Sequence, residues 1–243
     1  MTEGSEVTHR LRGADPLADR LQGSASRSEV LPVNVLLLAK TPQPGRVKTR
    51  LCPPCTPDQA ARVAAAALAD TVDAVSAAPA SRRTLVVAGP HPAPAGWSRV
   101  GQRGDGLGAR LAHAFADTRR AGTPSLLLGM DTPQLTADQL AFAAALLVEA
   151  DAVLGLAEDG GWWALGLTEP RHAAVLRDIP TSLPTTGART LAGLRGRGLR
   201  VATLPVLRDV DTAADARAVA ALCRPTSRFA AAVRREVPSV VAA

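Results

Sequence analysis

The sequence has 243 residues, of which 47% are hydrophobic and only 2% aromatic, and its formal net charge is +6. That length suits one large α/β domain or two small ones, with a core built from Ala, Val and Leu in place of aromatics. The positive balance suits anionic ligands such as nucleotides and sugar phosphates. Scattered arginines, with no aromatic-interleaved basic stripe and no recognition motif, read against nucleic acid as a partner.

Residues 1 to about 30 are rich in Gly, Ser, Arg and Asp without a sustained period, so a disordered N-terminal extension is expected there. They contain no apolar h-region of a signal peptide, and Glu149 and Asp151 interrupt the best apolar run. Neither a leader nor a membrane span is expected, and a cytoplasmic protein is the reading. A single folded domain is expected over 31–223, followed by a tail or helix over 224–243. The sequence sets no oligomeric state.

Val33 to Ala39 is a nearly continuous apolar run, the pattern of a strand buried on both faces. The loop after it has different chemistry: Lys40, Arg46, Lys48 and Arg50 lie among two prolines and a glycine. Lys40 and Lys48 are the only lysines in the chain. Lysine is a mobile point charge and arginine a planar fork, so two lysines in one loop after a buried strand point to phosphate oxygens. The plain alternative is a solvated basic loop, and a polar loop outside the core would contribute little stability. Cys52-Pro53-Pro54-Cys55 has CxxC spacing, but the prolines and the preceding basic loop do not fit a redox pair opening a helix. His9, His91, His113 and His172 give no zinc spacing, so the cysteines read as incidental.

Thr56-Pro57-Asp58 starts a helix that runs to about Ala77. Strands follow at 84–88 and, briefly, at 97–100. Gly104-Asp105-Gly106-Leu107-Gly108 leads into a helix from Ala109 and resembles a phosphate-cradling turn, though it matches neither GxGxxG nor the P-loop. A strand at 126–130 ends at Asp131-Thr132-Pro133, and a helix from Thr136 to about Ala150 comes next. The strand 152–157, the turn Glu158-Asp159-Gly160-Gly161 and a returning strand 162–167 make a hairpin. Helical segments are expected at 171–178 and 186–195 around a loop at 181–185, then a strand at 199–204 and a helix at 213–222. Alternating strands and helices argue a three-layer α/β/α domain on a mainly parallel, mixed sheet.

Asp131 stands where a central strand ends, the place where α/β sheets bind ligands, and its natural task is Mg²⁺. Asp209, Asp211 and Asp215 form a second acidic cluster that also reads as a plain helix start. Its functional reading comes from pairing with Asp131 and the two lysines. Trp162 and Trp163 would point to opposite faces of a strand, one toward the core and one toward a pocket; a hairpin turn with a core tryptophan is the alternative.

Taken in order, these motifs resemble those of a family: the K-T-R-L loop, the Gly-Leu-Gly helix start, strand-Asp-x-Pro, E-D-G-G-aromatic-aromatic and D-V-D-T-x-x-D. Over about residues 33 to 222 the chain resembles bacterial GT-A-fold, nucleotide-diphospho-sugar transferase-like proteins of the selenodomain-associated transferase type. It is more distantly similar to 2-phospho-lactate guanylyltransferases and molybdenum-cofactor guanylyltransferases. The resemblance implies a GT-A fold and a metal-dependent enzyme using Mg²⁺ or Mn²⁺. It implies that Lys40, Arg46, Lys48 and Arg50 bind phosphates, that Gly106, Leu107 and Gly108 lie near the base, and that Asp131 and Asp211 hold the metal. Asp159, Gly160, Gly161 and Trp162 would face the second substrate, with Lys48, Asp131 and Asp159 as the catalytic set. Trp162-Trp163 replaces a usual Tyr pair, which bears on acceptor choice. The first reading is a glycosyltransferase with a nucleotide-sugar donor and a small-molecule acceptor. The second is a nucleotidyltransferase using an NTP and a phosphorylated acceptor, and the third a silent nucleotide-binding domain.

Overall fold

The computed structural model of the chain describes residues 33–238. The expected extension over 1–30 lies outside them. A seven-stranded sheet runs through the middle in the order β3-β2-β1-β4-β6-β5-β7. Its strands are β1 (Asn34–Lys40), β2 (Arg82–Ala88), β3 (Ser98–Gly101), β4 (Ser125–Gly129), β5 (Ala152–Ala157), β6 (Trp162–Leu167) and β7 (Val201–Leu207). Only β6 is antiparallel to its neighbours, β4 and β5, because the tight turn after β5 sends the chain straight back. All other pairings are parallel. Parallel strands place their carboxyl ends on one edge, and β6 begins on that same edge.

The continuous apolar runs are buried on both faces. Val35, Leu37 and Ala39 of β1 join the core on one side, with Leu68 of α1 (Pro57–Ala77) and Leu140 of α3 (Ala137–Leu146). Leu36 faces the other core, with Phe115 of α2 (Gly106–Thr118) and Leu194 of α4 (Thr186–Arg195). This is the three-layer arrangement that alternating elements demand. A third cluster packs α1 against α5 (Ala213–Leu222) and α6 (Arg228–Glu236), closing over Leu51, Cys55 and Val210 beneath the basic loop.

Capping boxes fix the starts of α1, α3 and α5, at Thr56/Gln59, Thr136/Gln139 and Thr212/Asp215. Asp215 therefore serves helix α5, as the plain reading of its cluster has it. Several elements differ from expectation, and β7 runs over Val201–Leu207 in place of 199–204. Helix α2 starts at Gly106, not at Ala109, so its glycines lie in the first helical turn. Helix α3 stops at Leu146 because the next amides bond three residues back, from Leu147 to Ala144 and from Val148 to Ala145. Pro170–Asp178 is a 3-10 helix. Among the described residues no helix is long and apolar enough to cross a membrane.

Candidate active site

The carboxyl edge of the sheet opens into a cleft of about 890 Å³. Its walls come from the loops after β1, β4 and β7, the first turn of α2, the β5–β6 turn and the segment 181–186. Lys40, Arg46, Lys48, Arg50, Gly106, Leu107, Asp131, Asp159, Gly161, Trp162 and Asp211 all line it. Residues scattered over more than 170 positions of sequence thus share one cavity, because every one of these loops leaves the same sheet edge.

Lys48 is the centre of the arrangement. Its backbone is left-handed, at φ 48 and ψ 40, a conformation that costs a non-glycine residue roughly 1–3 kcal/mol. Its side chain is only 8% exposed. The ammonium lies 2.6 Å from Asp131 Oδ1 and 3.6 Å from Asp211 Oδ1, and it donates to the Val210 carbonyl. The Val210 amide in turn donates to the Asp131 carbonyl at 2.9 Å. One buried valine and one lysine therefore tie together the loops after β1, β4 and β7. This corrects the expectation that the basic loop lies outside the core and contributes little: Lys48 is an integral part of the packed loops. Arg50 is also committed, at 2.8 Å from Asp211 Oδ2. Lys40 and Arg46 are exposed, and among the described residues neither forms an ion pair.

Asp159, Asp209 and Asp211 each offer a carboxylate oxygen, all within 4.8 Å of one another. Asp209 is pushed up to about 6 by burial, and then by the neighbouring carboxylates of Asp159 and Asp211. Crowded acids of this kind call for a counter-cation, and their hard oxygens suit Mg²⁺ or Mn²⁺. The residues present therefore fit a divalent ion. The metal pair implied by the motifs was Asp131 and Asp211. The structure brings both to Lys48 but groups Asp211 with Asp209 and Asp159. Asp209, read with Asp211 and Asp215 as an acidic cluster, has no metal role in the motif reading. Its signal was the D-V-D alternation: in extended chain, 209 and 211 share a face while Val210 points into the core.

The glycines divide by role. Gly106 lines the cleft, but Gly108 does not: a Cβ there would overlap the Leu176 carbonyl, so Gly108 lets α2 rest on the 170–178 helix. Gly160 likewise allows contact with the Pro184 carbonyl, while Gly161 reaches the cleft. The Gly161 amide donates to Asp159 Oδ1 at 2.7 Å and orients that carboxylate. The two tryptophans separate as their alternation implies. Trp163 is buried, donates to the Pro205 carbonyl at 3.1 Å and lies over Gly155. Trp162 is half-buried and forms cleft wall. Gln102, also unforeseen, pins two strand ends by donating to the carbonyls of Ala39 and Val86. The three cysteines are free, and burial pushes the Cys55 thiol up, away from thiolate chemistry.

The strand order, with one antiparallel strand inserted beside a parallel half, and the ligand cleft on its carboxyl edge define the nucleotide-diphospho-sugar transferase fold. The chain belongs to the DUF2064 family, described as uncharacterized proteins conserved in bacteria, whose model matches residues 59–183. A protein of Desulfovibrio desulfuricans G20, provisionally described as a nucleotide-diphospho-sugar transferase, superposes with a TM-score of 0.73 at 24% identity, over 84% of this chain and 98% of that one. Rv0371c of Mycobacterium tuberculosis H37Rv superposes at 0.52 with 21% identity, covering 78% and 98%. A cytidylyltransferase of Leptospira borgpetersenii does so at 0.50 with 11% identity, covering 88% and 100%. No curated protein matches the chain.

Proposed function

We propose that the protein is a metal-dependent transferase that takes a nucleotide-sugar donor and a small-molecule acceptor. Proteins described as sugar-nucleotide and nucleotidyl transferases share its fold, which supports a nucleotide-using enzyme at the level of analogy. The observation that carries the glycosyl reading is the division of the cations. Lys40 and Arg46 carry no carboxylate partner among the described residues, whereas Lys48 and Arg50 are held by Asp131 and Asp211. Two available cations balance the two negative charges of a nucleotide-sugar's diphosphate, the charge of a divalent ion being met by Asp209 and Asp211.

In this reading Asp209 and Asp211 hold Mg²⁺ or Mn²⁺, which when bound neutralises the diphosphate leaving group. Lys40 and Arg46 grip the donor phosphates, and the first turn of α2 borders the nucleoside. Asp159 stands exposed at the rim with its Oδ1 fixed by Gly161. Its Oδ2 takes the proton of the acceptor hydroxyl. The acceptor oxygen bonds to the anomeric carbon, the bond from that carbon to the β-phosphate oxygen breaks, and the nucleoside diphosphate leaves. A divalent ion at Asp211 would compete with the ammonium of Lys48 for that carboxylate and leave it within reach of the donor phosphates.

The nearness of Lys48 and Arg50 to Asp211 is the observation favouring nucleotidyl transfer, since a metal that displaced both would leave four cations for a triphosphate. A thermal-shift screen of NTPs and nucleotide-sugars, with Mn²⁺ and with EDTA, tests the proposal. Stabilisation by a nucleotide-sugar that EDTA abolishes is the expected result. Pyrophosphate release from an NTP with a phosphorylated acceptor would favour the second reading, and no response to any nucleotide would overturn both.

A further inference from the structure

We propose that the half of the cleft between Trp162 and the 181–186 segment binds a neutral acceptor, one that presents a hydroxyl and a flat apolar face and carries no phosphate. The class meant is a sugar ring or an aryl or alkyl alcohol. The proposal deepens the transferase reading and rests on it.

The cleft is segregated by charge. Lys40 ends β1 and Arg46, Lys48 and Arg50 stand on the loop after it, and the 157–163 and 181–186 walls bring no cation into the cleft. Arg110 also lines the cleft, but it stands on α2, on the side assigned to the nucleoside, and donates to the Gly104 carbonyl at 3.2 Å. The fixed charge on this side is Asp159, which would repel an acceptor phosphate. Exclusion of an anion by an unpaired carboxylate is the repulsive half of specificity.

The wall is also apolar where it meets solvent. Leu183 is 46% exposed and opens into the cleft. An exposed leucine lining a concave site marks a surface awaiting an apolar face. Trp162 lines the same cleft. Because Trp163 fills the core position, Trp162 rests one side on the core and turns the other to the cavity.

The wall is preformed. Ser182 is left-handed at φ 62. The Thr186 hydroxyl accepts from the Leu183 amide at 3.1 Å and donates to the Pro180 carbonyl at 3.0 Å. The Gly187 amide donates to the Gly160 carbonyl at 2.8 Å, which ties this wall to the turn carrying Asp159. A surface held in advance of its ligand loses little entropy on binding.

The test titrates the full chain with phenyl β-D-glucoside and with its 6-phosphate, reading tryptophan fluorescence. The neutral probe is expected to change the emission and to bind more tightly than the phosphorylated one. Leu183→Asp, at an exposed position that leaves the fold intact, should weaken the glucoside roughly tenfold, and Trp162→Ala should abolish the emission change. A 6-phosphate that binds as tightly, a glucoside affinity indifferent to Leu183→Asp, or no binding of the glucoside would each overturn the inference. The nucleotide screen reads the other half of the cleft. Nucleotide stabilisation alongside a failed glucoside titration overturns this inference alone; glucoside binding without any nucleotide response overturns the transferase reading.

Discussion

Replacing Lys48 by alanine should do two separable things. The ammonium is nearly enclosed and touches three oxygens, from Asp131, Asp211 and Val210. Breaking a fully buried ion pair costs about 3–5 kcal/mol. Here Asp131 and Asp211 are 45% and 33% exposed, so water recovers part of the loss and about 1–3 kcal/mol remains. Alanine retains the strained left-handed backbone, whereas glycine relieves it. Lys48→Gly should therefore be more stable than Lys48→Ala by about 1 kcal/mol. Nucleotide affinity responds through the phosphates: a charge-assisted contact of roughly 1.5–3 kcal/mol corresponds to a loss of about tenfold to a hundredfold. Lys48→Arg should not restore it, because a planar fork does not fit where a point charge sits among three oxygens. Bare Mn²⁺ should bind Lys48→Ala more tightly, since a competing cation is gone. Thermal unfolding and calorimetry with Mn²⁺ and nucleotide measure all of these, with Arg119→Ala, exposed at the end of α2, as the silent control. If Lys48→Ala matches that control in both stability and affinity, the loop is a solvated basic surface and the reasoning fails.

The carboxylates make further predictions. Asp209 has a folded-state pKa raised to about 6 against an ordinary 3.8, so its ionisation opposes folding. The cost is absent below pH 3.8, grows as pH rises through 6 and is complete above it. In EDTA, Asp209→Asn should raise stability at pH 8 by roughly 1–3 kcal/mol and leave it unchanged near pH 3.5; equal gains at both would refute the burial-and-repulsion account. Asp211→Asn should abolish Mn²⁺ binding by the bare protein while Asp131→Asn leaves it little changed, as calorimetry would show. Equal losses in both would restore the pair implied by the motifs. Asp159→Asn should lose turnover, keep nucleotide binding and weaken Mn²⁺ binding less than Asp211→Asn does, since its role lies in proton transfer.

Much of this architecture was legible because the local signals agree with the global ones. Thr56-Pro57 and Thr136 announce helix starts that capping boxes secure, and the apolar runs at 33–39, 126–130 and 152–157 are strands buried on both faces. The cleft residues were legible because parallel strands send their carboxyl ends to one edge. What the sequence withheld is tertiary. Nothing local marks Lys48 as left-handed, since its conformation is imposed by Asp131, Val210 and Asp211, more than eighty residues away. Asp209 was masked by the capping logic of Thr212 and Asp215, which explains acids at this point without a ligand. The E-D-G-G glycines read as a tight turn facing the second substrate; that Gly160 packs against the Pro184 carbonyl is a tertiary contact.

That glycine gives a contrast between two sites of one residue type. Gly160 and Gly45 both have positive φ, 86 and 73. A side chain at Gly45 meets nothing within 4 Å, so Gly45→Ala should cost only the conformational penalty, about 1 kcal/mol. A Cβ at Gly160 would overlap the Pro184 carbonyl, and backbone cannot rotate away as a flexible side chain would. The hydrogen bond from Gly187 to the Gly160 carbonyl fixes the two segments at that distance. Gly160→Ala should therefore add a steric term to the conformational one, for a loss of roughly 2–4 kcal/mol. The displaced segment carries Leu183 and the far wall of the cleft, whereas Lys40 and Arg46 sit across from it on a different loop. Glucoside binding should fall with little change in nucleotide affinity. Two variants of equal stability would show that Gly160 serves only its own φ. A nucleotide affinity that fell in step with the glucoside would show that the two halves of the cleft move as one.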